Sequence, residues 1–100
     1  MKSGCKIYWS DESLKNLDSI IDYLTAKWTD REIRNFSKIL EKRLSLISKS
    51  PLAFPASGIK TNVRRSVLSE QTTIYYEIKT DSIVILSLFD NRKDPKSIKI

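Results

Sequence analysis

The sequence predicts an α+β domain with its elements in the order β-α-α-β-β-β, a helical hairpin packed on one face of a small, mostly antiparallel sheet. Three observations predict it. Two adjoining segments between Ser10 and Ser50 repeat their apolar residues at helical spacing. Val63 to Phe89 then carries three successive strand signals. The two glycines and three prolines all stand outside these segments, where they mark turns and connections.

Lys6-Ile7-Tyr8-Trp9 is a short β-prone run that ends at Ser10, a good helix N-cap, and Asp11 and Glu12 suit the positive end of the helix that follows. Leu14, Leu17, Ile20, Ile21, Leu24 and Trp28 give that helix one apolar face, with Lys15, Asp18, Asp22 and Lys27 pointing elsewhere. Thr29-Asp30-Arg31-Glu32 reads as a capping box opening a second helix. Its stripe is Ile33, Phe36, Leu40, Leu44 and Ile47, and Ile39, Leu46 and the stem of Arg43 are expected to widen it. The tight junction at Trp28–Asp30 makes the two helices a hairpin. Trp9 and Trp28 are expected to pack in the core, as large aromatics do in small domains.

Ser50-Pro51 ends the second helix, because a residue before proline avoids the α region. Leu52–Lys60 is a loop, anchored to the core by Phe54. In the first long strand Val63, Arg65 and Val67 alternate with Arg64, Ser66 and Leu68. After a polar turn at Ser69–Gln71, Thr73–Ile78 places Ile74, Tyr76 and Ile78 on one face and Tyr75 and Glu77 on the other. Thr80-Asp81 fits a tight hairpin connection. Ile83–Phe89 is apolar on both faces except at Ser87, which predicts a central strand, with the N-terminal strand as its parallel neighbour. A single domain over residues 1–100 is expected, its function to be sought on the sheet face the helices leave uncovered and in Phe89–Pro95.

A formal charge of +6 and a pI near 9.6 point to an anionic partner: nucleic acid, an acidic protein segment or a membrane surface. Cys5 is the only cysteine, so no internal disulfide forms, and a reducing compartment, the cytoplasm, is expected. With no histidine, the usual zinc ligand sets and all histidine-based acid–base or nucleophile chemistry are excluded. No metal or cofactor is expected. No apolar run approaches the roughly 20 residues that span a bilayer.

The ordered combination of local sequences resembles the RelE/ParE superfamily of type II toxin–antitoxin toxins. Tyr8-Trp9-Ser10 looks like the family's opening, and Leu17, Ile20, Tyr23, Leu24 and Trp28 like its first helix. Ser50-Pro51 with Phe54-Pro55 looks like its helix-ending loop, Val63-Arg64-Arg65 like its strand-two arginines, and Ile74-Tyr75-Tyr76-Glu77-Ile78 like its third strand. Ile83-Val84-Ile85-Leu86 leading into Phe89-Asp90-Asn91-Arg92-Lys93-Asp94-Pro95 resembles its fourth strand and closing turn. The resemblance covers essentially the whole chain. It implies a toxin neutralised by a small antitoxin that wraps it, with DNA contacted only through the antitoxin and no membrane association. Two activities compete within the superfamily: mRNA cleavage on the ribosome in RelE-like members, and inhibition of DNA gyrase in ParE-like ones.

RNA cleavage without histidine or metal requires Lys, Arg and Tyr to share the proton transfers and to stabilise charge on the phosphorus centre. The candidates for that chemistry are Arg64, Arg65, Arg92 and Tyr75. RelE-like ribonucleases place an arginine at the start of the third strand, where this chain has Thr72-Thr73, and carry a tyrosine or histidine in a C-terminal extension that finds no counterpart after Pro95. The reading therefore favours a ParE-like protein that acts by binding. Lys60, Arg64, Arg65, Tyr75, Asp90, Arg92 and Lys93 are the candidate target- or antitoxin-binding residues; the cations Lys60, Arg64, Arg65, Arg92, Lys93, Lys96 and Lys99 form one basic patch if the second strand and the post-Phe89 turn meet. A degenerate member that only binds its antitoxin is the third reading. Each residue also has a structural role open to it: Arg65 pairing with Asp90 or Glu77, Arg64 as a solvated edge charge, Arg92 tying down its own turn through Asp90 or Asp94.

Overall fold

In the computed structural model, which describes residues 4–100, the helical and strand segments fold as β1 (Lys6–Trp9), α1 (Asp11–Lys27), α2 (Asp30–Lys49), β2 (Val63–Val67), β3 (Thr72–Ile78) and β4 (Ser82–Asp90). Two short 3-10 turns are added, at Pro51–Ala53 and Pro95–Ser97, both begun by a proline whose missing N–H costs nothing there. The sheet order is β1-β4-β3-β2, with β1 parallel to β4 and the other pairs antiparallel. The apolar Ile83–Phe89 run is indeed central. Lys79 N–H donates to the Ser82 carbonyl at 2.9 Å, closing the tight turn around Thr80-Asp81.

Ser10 caps α1, its hydroxyl accepting from Ser13 N–H at 3.1 Å. At Thr29 the expected capping box is replaced by a side-chain pair, with the Thr29 hydroxyl donating to Glu32 Oε1 at 3.1 Å. β1 reaches only as far as Ile85 of its partner, so β4 continues past it without a strand on that side. The β3–β4 register also slips, from Tyr75↔Ser87 to Tyr76↔Ile85, making Leu86 the extra residue of a bulge. Helix α1 supplies the missing partners. Ser10 Oγ donates to the Leu86 carbonyl at 3.0 Å, and Asn16 Oδ1 accepts from Leu88 N–H at 3.0 Å and from the Ser87 hydroxyl at 3.1 Å.

The helix-side core gathers Leu40 and Ile47 of α2 with Leu68, Ile74, Tyr76, Ile83, Ile85 and Leu88, and Trp9, Leu17, Ile20, Phe36, Leu44 and Phe54 pack against it. Phe54 is the expected loop anchor, meeting the Tyr76 ring edge-on at 6.4 Å. The other face of the sheet is not left open. Val63, Tyr75 and Phe89 form a second cluster there, and the C-terminal residues Ile98 and Ile100 fold back onto it.

Several expected core positions lie elsewhere. Ile39 and Leu46 are 46% and 54% exposed, because they sit roughly 100° around α2 from Leu40 and Ile47, on a flank the sheet does not reach. Leu14 and Trp28 are also exposed, at 45% and 54%. α1 ends at Lys27, and Trp28 follows it in extended backbone, so the indole stands at the edge of the apolar face and not in the core. Arg43 does more than lend its stem. Its guanidinium donates to Ser66 Oγ at 2.8 Å and to the Val67 carbonyl at 2.5 Å, and lies 5.8 Å over the Phe54 ring.

Candidate functional site

The helical hairpin and the overhanging end of β4 do not close on one another. Between them lies a groove of about 600 Å³. Its hairpin wall is apolar and aromatic, made by Ile20, Tyr23, Leu24, Trp28, Phe36 and Ile39. The opposite wall carries Asp90 paired with Arg92, Lys93 from the turn after β4 and Lys99 from the C-terminal tail, a net positive set, while Glu12 and Glu32 stand on the helical side. The net positive turn and the apolar hairpin wall suit an amphipathic segment whose apolar stripe meets the hairpin and whose acidic flank faces the turn.

The turn itself is held rigidly. Arg92 donates through Nε to Asp90 Oδ1 and through Nη2 to Asp90 Oδ2, both at 3.0 Å, and its backbone N–H adds a bond to Oδ1 at 2.9 Å. These hydrogen bonds hold the Asp90 carboxyl below the usual carboxylate range, and Asp90 raises the Arg92 guanidinium in return, with a smaller contribution from the Tyr23 phenol. Asn91 fastens the same turn to the β2–β3 connection: its N–H reaches the Gln71 carbonyl at 2.8 Å, and the Thr73 hydroxyl donates to its Oδ1 at 2.6 Å. Thr72 and Thr73, at the start of β3, are buried and built into this junction.

The remaining candidates do not converge. Arg64 faces the helices and spends Nη1 on the carbonyls of Phe54 at 2.6 Å and Leu52 at 3.3 Å, so it is not the solvated edge charge expected. Arg65 is exposed on the opposite side and makes neither expected ion pair; Asp90 pairs with Arg92 and Glu77 with Lys79. Tyr75 is buried on that outer face, edge-on to Phe89 at 6.3 Å. Tyr76 lies on the helix face, where its hydroxyl donates to the Pro51 carbonyl at 2.7 Å and burial pushes its pKa up to about 12. A phenol so held stays protonated at neutral pH and is no base. Lys60 precedes the Val63 end of β2, whereas Arg92 follows the end of β4 aligned, through β3, with Val67. The length of β2, about 13 Å, thus separates them. The basic patch therefore divides: Arg92, Lys93 and Lys99 gather at the groove, Arg64 and Arg65 face opposite sides of β2, and Lys60 lies at the far end of that strand.

The chain matches, over residues 7–95, the family model described as ParE toxin of type II toxin-antitoxin system, parDE. It belongs to the ParE toxin family. No curated protein sequence matches it. Solved structures with the same fold include the chromosomal ParDE system from P. aeruginosa, at 18% identity and TM-score 0.69, covering 89% of this chain and 98% of that one. The E. coli DinJ–YafQ toxin–antitoxin complex is similar at 10% identity and TM-score 0.63, covering 89% and 94%. HP0894 of Helicobacter pylori is similar at 20% identity and TM-score 0.53, covering 89% and 97%. At these identities the likeness establishes the fold.

In this ParE-family chain, Asn16, Trp28 and the Ile98–Ile100 pair differ in how far their roles are written in the sequence. Asn16 carries no motif, and its role arises only because β1 is shorter than β4. The exposure of Trp28 had one legible signal, its position next to the Thr29 cap, where a helix stops. Ile98 and Ile100 alternate like strand residues, but nothing local says which surface they meet.

Proposed function

We propose that this ParE-family toxin is held by a small antitoxin whose amphipathic segment fills the groove between the hairpin and the post-β4 turn. Once free, it acts in the cytoplasm by binding DNA gyrase. The groove carries this reading: an apolar wall with the exposed Trp28 and Tyr23 opposite the cations of the turn is suited to a partner helix with an acidic flank. The dispersal of Arg64, Arg65, Tyr75 and Arg92 over two faces and one end of the sheet supports a binding mode of action over RNA cleavage. Acid–base work needs its groups within hydrogen-bond reach of one phosphate. No helix among the described residues is long and apolar enough to cross a membrane.

The deciding experiment is gyrase supercoiling with the purified protein. Inhibition that is relieved by a small antitoxin polypeptide is expected. Normal supercoiling at excess protein, with transcripts cut on translating ribosomes, would replace this reading with a RelE-like ribonuclease. Neither effect, together with no growth arrest on expression alone, would leave a protein that only binds its antitoxin. The groove is tested by Trp28→Ala, expected to weaken antitoxin binding by at least about tenfold, since exposed Trp side chains dominate such interfaces.

A further inference from the structure

The outward face of α2 carries a feature that the groove does not use. At 3.6 residues per turn, Arg31, Arg34, Lys38, Lys42 and Lys49 fall within about 80° of arc, opposite Leu40 and Ile47. All five are exposed, and they run about 27 Å along the helix. Only two ion pairs form among the described residues, Lys79–Glu77 and Arg92–Asp90, and neither touches this stripe. Glu41 is the one acidic residue of α2 beyond its first turn, and it makes no ion pair with Lys38 or Lys42.

An ordinary solvated helix face mixes charges at i,i+4, where opposite signs stabilise the helix. Here Arg34–Lys38 and Lys38–Lys42 are like-charged at that spacing, and Arg31 and Arg34 sit near the positive end of the helix dipole. Both arrangements cost helix stability. An anionic partner laid along the face would turn these costs into attraction.

We infer that the outer face of α2 is a docking surface for the phosphate backbone of duplex DNA, bound without regard to sequence. A straight row of cations, with no aromatic side chain in it, complements a rod carrying one negative charge per about 1.7 Å. Single-strand binders instead need stacking aromatics among their cations. The expectation from sequence left DNA to the antitoxin alone; the stripe gives the toxin chain a contact of its own. The surface lies opposite the sheet-facing side of α2 and stands or falls independently of the groove and of gyrase.

The test is fluorescence anisotropy of the purified chain with an arbitrary duplex of about 25 bp between about 20 and 200 mM NaCl. Each phosphate contact contributes about 0.9 to the slope of log K against log salt, so a slope of magnitude up to about 4.5 is expected. Arg34→Gln/Lys38→Gln/Lys42→Gln should reduce it by about 2.7. Lys6→Gln/Lys15→Gln/Lys79→Gln, an equal loss of charge elsewhere, should reduce it by less than about 1. Circular dichroism verifies that both variants remain folded. No binding at low salt, or equal losses in the two variants, overturns the inference. So does tighter binding of single-stranded RNA or of anionic vesicles, or displacement of the duplex by polyglutamate at equal charge.

Discussion

On the helix side of the sheet, Ile74, Tyr76, Ile83 and Ile85 are closed over by helices of 17 and 20 residues. On the other side, Tyr75 and Phe89 are closed over by Ile98 and Ile100 from the tail. The first cover is bound into the fold by caps, the Arg43 contacts to β2 and the Asn16 clasp on the β4 bulge. The second depends on two half-buried aliphatic side chains and one short turn. The contrast separates what specifies the fold from what merely finishes it: loss on the helix side unfolds the domain, whereas loss on the tail side uncovers an aromatic surface on an intact one.

The largest effect that would sharpen this contrast is Ile47→Ala. Ile47 is fully buried in the helix-side core, and its truncation should cost about 2–5 kcal/mol in urea denaturation. Asn16→Ala comes next, at about 1–3 kcal/mol, because Leu88 N–H loses its acceptor; amide exchange at Leu88 should accelerate. Tyr76→Phe should cost about 1 kcal/mol and alter the alkaline profile. With its folded pKa raised to about 12 from 10.0, Tyr76 contributes stability that is fully present below pH 10.0 and lost as the pH rises through about 12, so the variant should lack that decline. Ile98→Ala should cost no more than about 1 kcal/mol while changing the near-ultraviolet signal of Tyr75; a loss as large as that of Ile47→Ala would break the comparison. The smallest effect is that of Asp90→Asn. The depressed carboxyl contributes stability above its unfolded pKa that fades as pH falls through the folded one, so the variant should unfold in acid with a slightly flatter profile.

The element order and most of the helix-side core were legible because they follow from local periodicity, and the parallel β1–β4 pair because a strand apolar on both faces is central and needs a second neighbour. Leu40, Leu44 and Ile47 repeat at helical spacing, and Ile74 and Tyr76 alternate with Tyr75. The site was legible only in part. Arg92 could be tied to its own turn from sequence, through Asp90 or Asp94, since two residues of a turn suffice to bring them together; the structure pairs it with Asp90. Arg64 could not be assigned to the Leu52 and Phe54 carbonyls, because that contact depends on how a ten-residue excursion returns to the sheet. Alternation placed Arg65 with Val63 and Val67, but did not reveal that the tail, rather than a partner, covers part of that face. The groove was not legible at all, being made by the unequal lengths of β1 and β4.

The loop before β2 has one further consequence. Ser57 N–H reaches the Val63 carbonyl at 2.9 Å, Arg65 N–H reaches the Pro55 carbonyl at 3.1 Å, and Arg43 occupies the carbonyl of Val67. The β2 margin is therefore largely spoken for by the chain's own groups, and β1 is the other margin of the sheet. Endless strand-by-strand stacking needs two receptive margins on every molecule, as in a growing fibre. Among the described residues, a molecule so stoppered is left with the β1 margin at which to add a strand, and stacking through that margin ends at a pair.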